Sequence, residues 1–357
     1  MAEAAQPLSF PPNIFAALTP APYLLAHLSP ANPKSPSLRA NGRTQSDHRT
    51  PALHTNSLTH CSGSAVVRFG DTALVCGIRG EILLAKDIPN APVLAKLPDP
   101  SEAQDEIMDS EEGQEEEDDS KEIADLNLLI PNIELSTGCS PMHLPGSPPS
   151  TLAQSMSQRL LSHLQSTRLI RAKDLRILHR PPPSSEGEEQ EETEVKAYWT
   201  LYIDILVISL DGNVFDAAWF AVLAALRDTT LPTAYWDADR EAILCTHDPR
   251  RLQLRGLPVP LTFVVFDADA HKSLDLGTEA KQKRNKKFLL ADPDTLEESL
   301  CKESLTVMVD YDVNGTARIK GIEKVGGGTI GREEMKGCTK LALGRWAEWN
   351  GLFMDRA

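Results

Sequence analysis

Residues 201–226 read LYIDILVISLDGNVFDAAWFAVLAAL: an apolar run, an abrupt Asp-Gly, then an alanine-rich stretch that begins at once. Tyr202, Ile203, Ile205, Leu206, Val207, Ile208 and Leu210 form a nearly continuous, β-branched run, which reads as a strand buried on both faces. Asp211 and Gly212 end it. From Val214 the period becomes helical, with Phe215, Ala218, Ala221 or Val222, and Ala225 at three-to-four spacing, and the alanines let the helix lie close to a sheet. The helix N-terminus points out of the turn, where free N–H groups and the dipole attract anions. A phosphate seat would add Ser, Thr or Arg donors there. The chain supplies Asn213, Val214, Phe215 and Asp216 instead, two apolar and one anionic, so its side chains oppose what its backbone would attract.

Working outward, Gly63 to Ile78 alternates around Gly70-Asp71 and predicts two antiparallel strands. Phe15, Leu18, Tyr23, Leu24 and Leu28 suit a short amphipathic helix near the N-terminus. A helix is expected from about Thr151 to His163, started by Pro148-Pro149-Ser150, with Leu152, Met156 and Leu160 toward the first sheet. A short strand follows at Leu175–Leu178 and a longer one at Trp199–Leu210. Four more are expected at Leu261–Phe266, Phe288–Ala291, Thr306–Val313 and Ala317–Ile322, the last two joined by an Asn314-Gly315 turn. A closing helix near Arg332–Trp349 places Met335, Cys338, Leu341, Ala342 and Trp346 toward the core. Hairpins followed by helices, twice over, imply an α+β chain of two sheet-plus-helix halves.

At 357 residues and 41% hydrophobic content the chain can bury a sizeable core. The formal charge of −15 appears hostile to nucleic acid, but residues 99–122 hold −12 of it and residues 186–194 hold −6, leaving +3 for the remainder. These acidic tracts, within inserts at 99–124 and 181–194, read as disordered loops, because self-repelling segments with little apolar surface do not offset their ordering entropy. The six cysteines show no C-x-x-C pair and read as reduced thiols. No zinc-ligand spacing is present, no metal or other cofactor is implied, and neither a secretory signal nor a membrane span is expected.

Asp204 and Asp211 could be taken for a metal or acid-base pair, but seven residues apart on a straight strand they face opposite ways. Asp211 reads as a turn residue bonding its own backbone. The acidic stretch Asp292 to Glu298 reads as an N-cap and first helical turn rather than a metal site. The run Lys281 to Lys287 is the strongest basic cluster and reads as a solvent loop before the strand at Phe288.

The turn and helix at 211–218 resemble the second half of the RNase PH family of phosphorolytic exoribonucleases, whose strand ends in Asp-Gly before a Gly-Thr-Arg-Thr-Ala-Ser type loop that binds phosphate. Aligned on Asp211-Gly212, the Thr-Arg pair falls on Val214-Phe215, the next Thr on Asp216 and the Ser on Ala218. The loop Asn213, Val214, Phe215, Asp216 and Ala218 is therefore a degenerate phosphate loop, of a form similar to the catalytically silent ring subunits of the eukaryotic RNA exosome. Arg39-Ala40-Asn41-Gly42-Arg43 is similar to the family's Arg-x-Asp-Gly-Arg, with Asn41 for Asp. Gly63 to Ile78 resembles its first hairpin. Residues 131–161 resemble an exosome ring subunit, and Asp292-Pro293-Asp294-Thr295-Leu296-Glu297-Glu298 resembles an element of the non-catalytic members.

The resemblance implies the RNase PH or ribosomal protein S5 domain 2-like fold, two pseudo-symmetric halves in one domain over 39–350, preceded by an N-terminal helix and lead-in over 1–38 and followed by a tail at 351–357. It implies no catalytic residue and no cofactor. Expected partners are other RNase PH-like exosome subunits in a hetero-hexameric ring, S1/KH cap subunits and single-stranded RNA led to a separate 3′–5′ exoribonuclease, in nucleus, nucleolus and cytoplasm. Arg43, Arg49 and Arg79 are the candidate RNA contacts, since arginine grips phosphate bidentately without base preference. The rival reading is an active phosphorolytic exoribonuclease, or a chain lending Arg43 or Arg49 to a composite site.

Overall fold

In a computed structural model of the chain, residues 11–30, 32, 35–89, 118–141, 143–144, 150–179, 193–268, 287–312 and 314–354 are described. Two short helices, α1 (Pro12–Leu18) and α2 (Pro20–Leu28), stand where one was expected, each with a proline in its first turn. Proline starts helices readily but breaks their interiors, so Pro20 divides the segment. Strands β1 (Pro51–Thr55), β2 (Gly63–Phe69) and β3 (Thr72–Leu84) follow. Gly70 turns between the last two with φ +57°.

Residues 118–125 form α3. Residues 99–117, most of the expected acidic insert, lie outside the described residues, but its C-terminal end is helical rather than disordered: Ile123 is buried and Glu122 pairs with Arg176. An apolar anchor and a counter-ion give that end a burial that its acidic composition did not indicate. Next come β4 (Leu129–Leu135), α4 (Thr151–Thr167), α5 (Ala172–Leu175) and β5 (Arg176–His179). Ser150 caps α4 by accepting from the Leu152 amide. The long β6 (Glu194–Ser209) leads to α6 (Val214–Asp228).

Those strands make one sheet in the order β1-β2-β3-β6-β4, with β5 also on β6, and only β4 runs parallel to β6. On β6, Leu201, Ile203, Ile205 and Val207 are buried, whereas Leu206 is 42% and Ile208 49% exposed. The expectation of burial on both faces is thus corrected. Helices α4 and α6 pack into the core on one face, and among the described residues nothing covers Leu206 and Ile208 on the other.

A two-stranded unit, β7 (Thr230–Asp237) with β8 (Ala242–Arg251), precedes the second sheet. That sheet holds β9 (Val259–Asp267), β10 (Lys287–Ala291), β11 (Glu303–Tyr311) and β12 (Ala317–Val325), in the order β10-β9-β11-β12. Helix α7 (Thr295–Leu300) lies between β10 and β11, and α8 (Arg332–Met354) closes the chain. Here β9 is the strand buried on both sides. Leu261 and Phe263 pack with Cys338 and Ala342 of α8, while Val264 and Phe266 pack with Leu24 and Leu28 of α2. The tail expected from 351 is instead the end of α8, because Phe353 is buried 5.1 Å from the Phe220 ring.

Helix α6 is shared by both halves. Every residue from Val214 to Leu226 is buried. One side meets the first sheet; on the other, Trp219 donates to the Pro258 carbonyl at 2.7 Å and Phe220 meets Trp349 at 4.5 Å between centroids. A helix apolar all round suits such a central position.

Candidate functional site: the turn before the central helix

The turn before α6 is held by its close neighbour. Gly212 has φ +69°, and a Cβ there would meet the Asp294 carbonyl carbon at 2.5 Å, so only glycine fits where the starts of α6 and α7 meet. Thr72 Oγ1 accepts from the Asp211 amide at 2.9 Å and donates to the Gly212 carbonyl at 3.2 Å. Asn213, at φ +50°, takes the left-handed conformation that Asn tolerates.

At the α6 N-terminus the protein supplies its own hydrogen-bond acceptors. The Asn213 amide donates to Glu298 Oε1 at 2.8 Å. Burial of that end raises the Glu298 carboxyl to about 7, with the charges of Asp216 and Asp292 adding to the effect and the Asn213 amide opposing it. One turn on, Asp216 is fully buried; it accepts from the Thr262 amide at 3.1 Å, the Thr262 hydroxyl at 2.7 Å and Asn213 Nδ2 at 2.9 Å. Its charge is matched by Arg345 of α8, which also donates to the Pro260 carbonyl at 3.1 Å. The Arg345 guanidinium lies 4.9 Å from the Trp349 ring centroid. Phe215 is 2% exposed, and the Arg159 guanidinium sits 3.7 Å from its ring centroid. All five residues of the degenerate loop, Asn213, Val214, Phe215, Asp216 and Ala218, are buried.

Beside this lies a second ionic cluster. Asp292 accepts from the Arg49 amide at 2.7 Å, Arg49 Nε at 2.9 Å, Arg49 Nη2 at 2.8 Å and Asn213 Nδ2 at 2.6 Å. Arg43 Nη1 approaches the same carboxylate at 3.2 Å. Arg39 and Glu297, both fully buried, form a further pair, and Glu297 completes a capping box with Asp294 at the start of α7. The acidic stretch Asp292 to Glu298 is thus a helix cap, as its sequence indicated, and also the receptor for three arginines.

Burial alone would raise the Asp292 carboxyl. The Arg49 hydrogen bonds and the charges of Arg345 and Arg49 outweigh it and hold the group well below the usual range. A carboxylate depressed in the folded state contributes stability that is complete above its unfolded value and lost as pH falls toward the folded one, because there the unfolded chain takes up the proton first. With an unfolded value of 3.8, thermal unfolding should show Asp292→Asn lowering Tm at neutral pH, and the gap to the parent narrowing below 3.8.

Of the three arginines expected at RNA, Arg49 points its guanidinium at Asp292 and the Asp211 carbonyl, and Arg43 points to Asp292. Both side chains are largely buried, at 10% and 18% exposure, because the family-like basic stretch packs against the acidic cap of α7 rather than facing solvent. Arg79 on β3 differs, with a side chain 53% exposed over the Tyr202 ring and carboxylates of Glu81 and Asp204 at 3.8 Å. Asp204 and Asp211 do not converge. The former faces outward on β6 near Asn132, and the latter meets Arg49. The run Lys281 to Lys286 lies outside the described residues, and no cluster with metal-binding geometry occurs among the described ones. Sequence reading missed Arg39 and Arg345; nothing in their local spacing marks an arginine for burial.

The pattern of the 3′ exoribonuclease family, domain 1, matches residues 47–232, and that of domain 2 matches residues 256–345. The chain is 33% identical over 340 residues to exosome complex component rrp43 of Schizosaccharomyces pombe, covering 95% of this chain and 97% of that protein. It is 26% identical over 317 residues to exosome complex component Rrp42 of Methanosarcina acetivorans, with 89% of each covered. Among solved structures, the fold is shared with an Archaeoglobus fulgidus exosome with RNA bound to the active site, at TM-score 0.56 and 19% identity, covering 93% of this chain and 97% of that one. An archaeal exosome core gives TM-score 0.55 at 18% identity, covering 96% and 100%. With both halves matched in order and this degree of identity along almost its whole length, the chain belongs to the 3′ exoribonuclease family of the RNase PH type.

Proposed function

We propose that this chain is a catalytically silent ring subunit of an RNA exosome. It joins other RNase PH-like subunits in a hetero-hexameric ring, carries S1/KH cap subunits, and helps form the channel that leads single-stranded RNA to a separate 3′–5′ exoribonuclease in rRNA processing and RNA decay. The nucleus, nucleolus and cytoplasm are its places of work. The observation that carries the silence is the α6 N-terminus, where Glu298 takes the amide an anion would need and Asp216 is neutralised from within by Arg345. The uncovered apolar residues Leu206 and Ile208 of the first sheet, and Ile319, Ile322 and Val325 of the second, supply surface for neighbouring subunits. RNA contact falls to Arg79, the exposed member of the three candidate arginines.

Reconstitution with partner subunits tests both parts. Native mass measurement should find this chain at one copy per ring, with Leu206→Glu and Ile208→Glu abolishing assembly of an otherwise folded chain. Phosphate and RNA should yield no nucleoside diphosphate from the purified chain. A product formed by it, or by a ring whose turnover follows Phe215→Leu in this subunit, would overturn the silence.

A further inference from the structure

Arg39, Arg49, Arg159, Arg176 and Arg345 each face a carboxylate. Arg227, in the last turn of α6, has no such partner among the described residues. It is half-buried, with its guanidinium 5.0 Å from the Phe353 ring centroid, and burial alone lowers its pKa, with no carboxylate charge opposing the effect. A desolvated cation without a counter-ion is unfavourable unless something brings one. Arg227 lines a cavity of about 290 Å³ together with Arg251, Gln253, Thr55, Asp228 and Leu252. Arg251, exposed at the end of β8, also has no ion pair among the described residues. Asp228 brings one negative charge, but its Oδ2 is spent on the Asn56 and Ser64 amides at 3.1 and 3.0 Å, so two guanidinium groups outweigh it.

We propose that this cavity is a binding site for a nucleotide phosphate, held between Arg227 and Arg251 with Thr55 and Gln253 as further donors. Two guanidinium forks from separate elements suit the several oxygens of a phosphate better than the two of a carboxylate. The volume falls near the lower bound of about 300 Å³ for small-ligand pockets, enough for one nucleotide unit. Leu252 and Leu254 provide an apolar wall for its sugar or base. The adjoining smaller cavity shares Arg251, Leu252 and Gln253, but its other arginines are paired, Arg176 with Glu122 and Arg250 at 4.0 Å from Asp174, so Arg227 is what sets the larger cavity apart. The site lies at the opposite end of α6 from the Asn213 turn and is independent of the ring role.

Isothermal titration of the full chain with uridine 5′-monophosphate, inorganic phosphate and a short single-stranded oligouridylate tests the assignment. The monophosphate or the oligonucleotide should saturate a site, and Arg227→Gln and Arg251→Gln should each weaken it about tenfold or more, the loss expected for a charge-assisted hydrogen bond. Arg318→Gln, remote and already paired with Asp312, should leave binding unchanged. Tighter binding of the oligonucleotide, lost in both variants, identifies an RNA strand as the source of the phosphate, and tighter binding of the monophosphate identifies a free nucleotide. Arg251 is exposed, so its variant should retain the parental Tm and report on binding alone. Absence of saturation by either phosphate ester, undiminished affinity in Arg251→Gln, or an acidic peptide competing as well as the monophosphate would overturn the proposal.

Discussion

Arg345→Met should destabilise the chain by about 3–5 kcal/mol, the range for breaking a buried ion pair by removing one partner. In a chain of 357 residues each kcal/mol should displace Tm by about 1–2 °C. The magnitude comes from what stays behind. Asp216 would remain fully buried with its charge unmatched, held only by Thr262 and Asn213. Asp216→Ala should lose a similar amount for the converse reason, since Arg345 would keep a buried charge with the Pro260 carbonyl as its remaining acceptor. The double variant distinguishes a pair from two independent contacts. Replacing both charges with apolar groups is often near neutral, so Asp216→Ala with Arg345→Met should recover most of the loss. Recovery should be incomplete, because the Thr262 amide and Asn213 Nδ2 lose an acceptor, although the Thr262 hydroxyl retains Thr306 Oγ1 at 2.9 Å. Urea unfolding of the four proteins supplies the cycle, and additive single losses would refute the coupling.

That coupling marks the boundary of what the sequence revealed. The strand, Asp-Gly turn and helix at 201–226 were legible because each carries a local signal: β-branching, turn chemistry and a change of period. The absence of phosphate-type donors at Val214, Phe215, Asp216 and Ala218 was legible for the same reason. What took their place was not. Arg345 lies 129 residues from Asp216, and Glu298 lies 85 from Asn213, and no periodicity joins them. Arg43 and Arg49 illustrate the same gap, since a basic motif reads alike whether it faces RNA or the Asp292 carboxylate. The β7–β8 hairpin escaped notice because Pro232 and Pro249, opposite each other across a register shift, break the alternation that identifies strands. The second face of β6 was misjudged because Leu206 and Ile208 are apolar yet uncovered, a pattern that fits burial by another chain as well as by this one.

Grafting Thr, Arg, Thr and Ser onto the turn by Val214→Thr, Phe215→Arg, Asp216→Thr and Ala218→Ser should yield an unfolded or insoluble chain, with no phosphate binding. Phe215→Arg removes a ring that is 2% exposed and puts a second guanidinium beside Arg159, which now sits 3.7 Å from that ring. Two like charges about 4 Å apart repel by about 4 kcal/mol at an effective dielectric of about 20. Asp216→Thr adds the uncompensated Arg345, another 3–5 kcal/mol or about that much. Together these approach or exceed the whole stability of an ordinary domain, about 5–15 kcal/mol. Adding Arg345→Met should remove only the second penalty, and Glu298→Ala should free the Asn213 amide of its side-chain acceptor without relieving Arg159. The decisive measurement is Tm of each soluble combination with and without inorganic phosphate. A phosphate-dependent rise in the four-residue graft would mean that the seat is merely unfurnished; a flat response, with stability falling in the order of these charges, means that silence is built into the core that holds the two halves together.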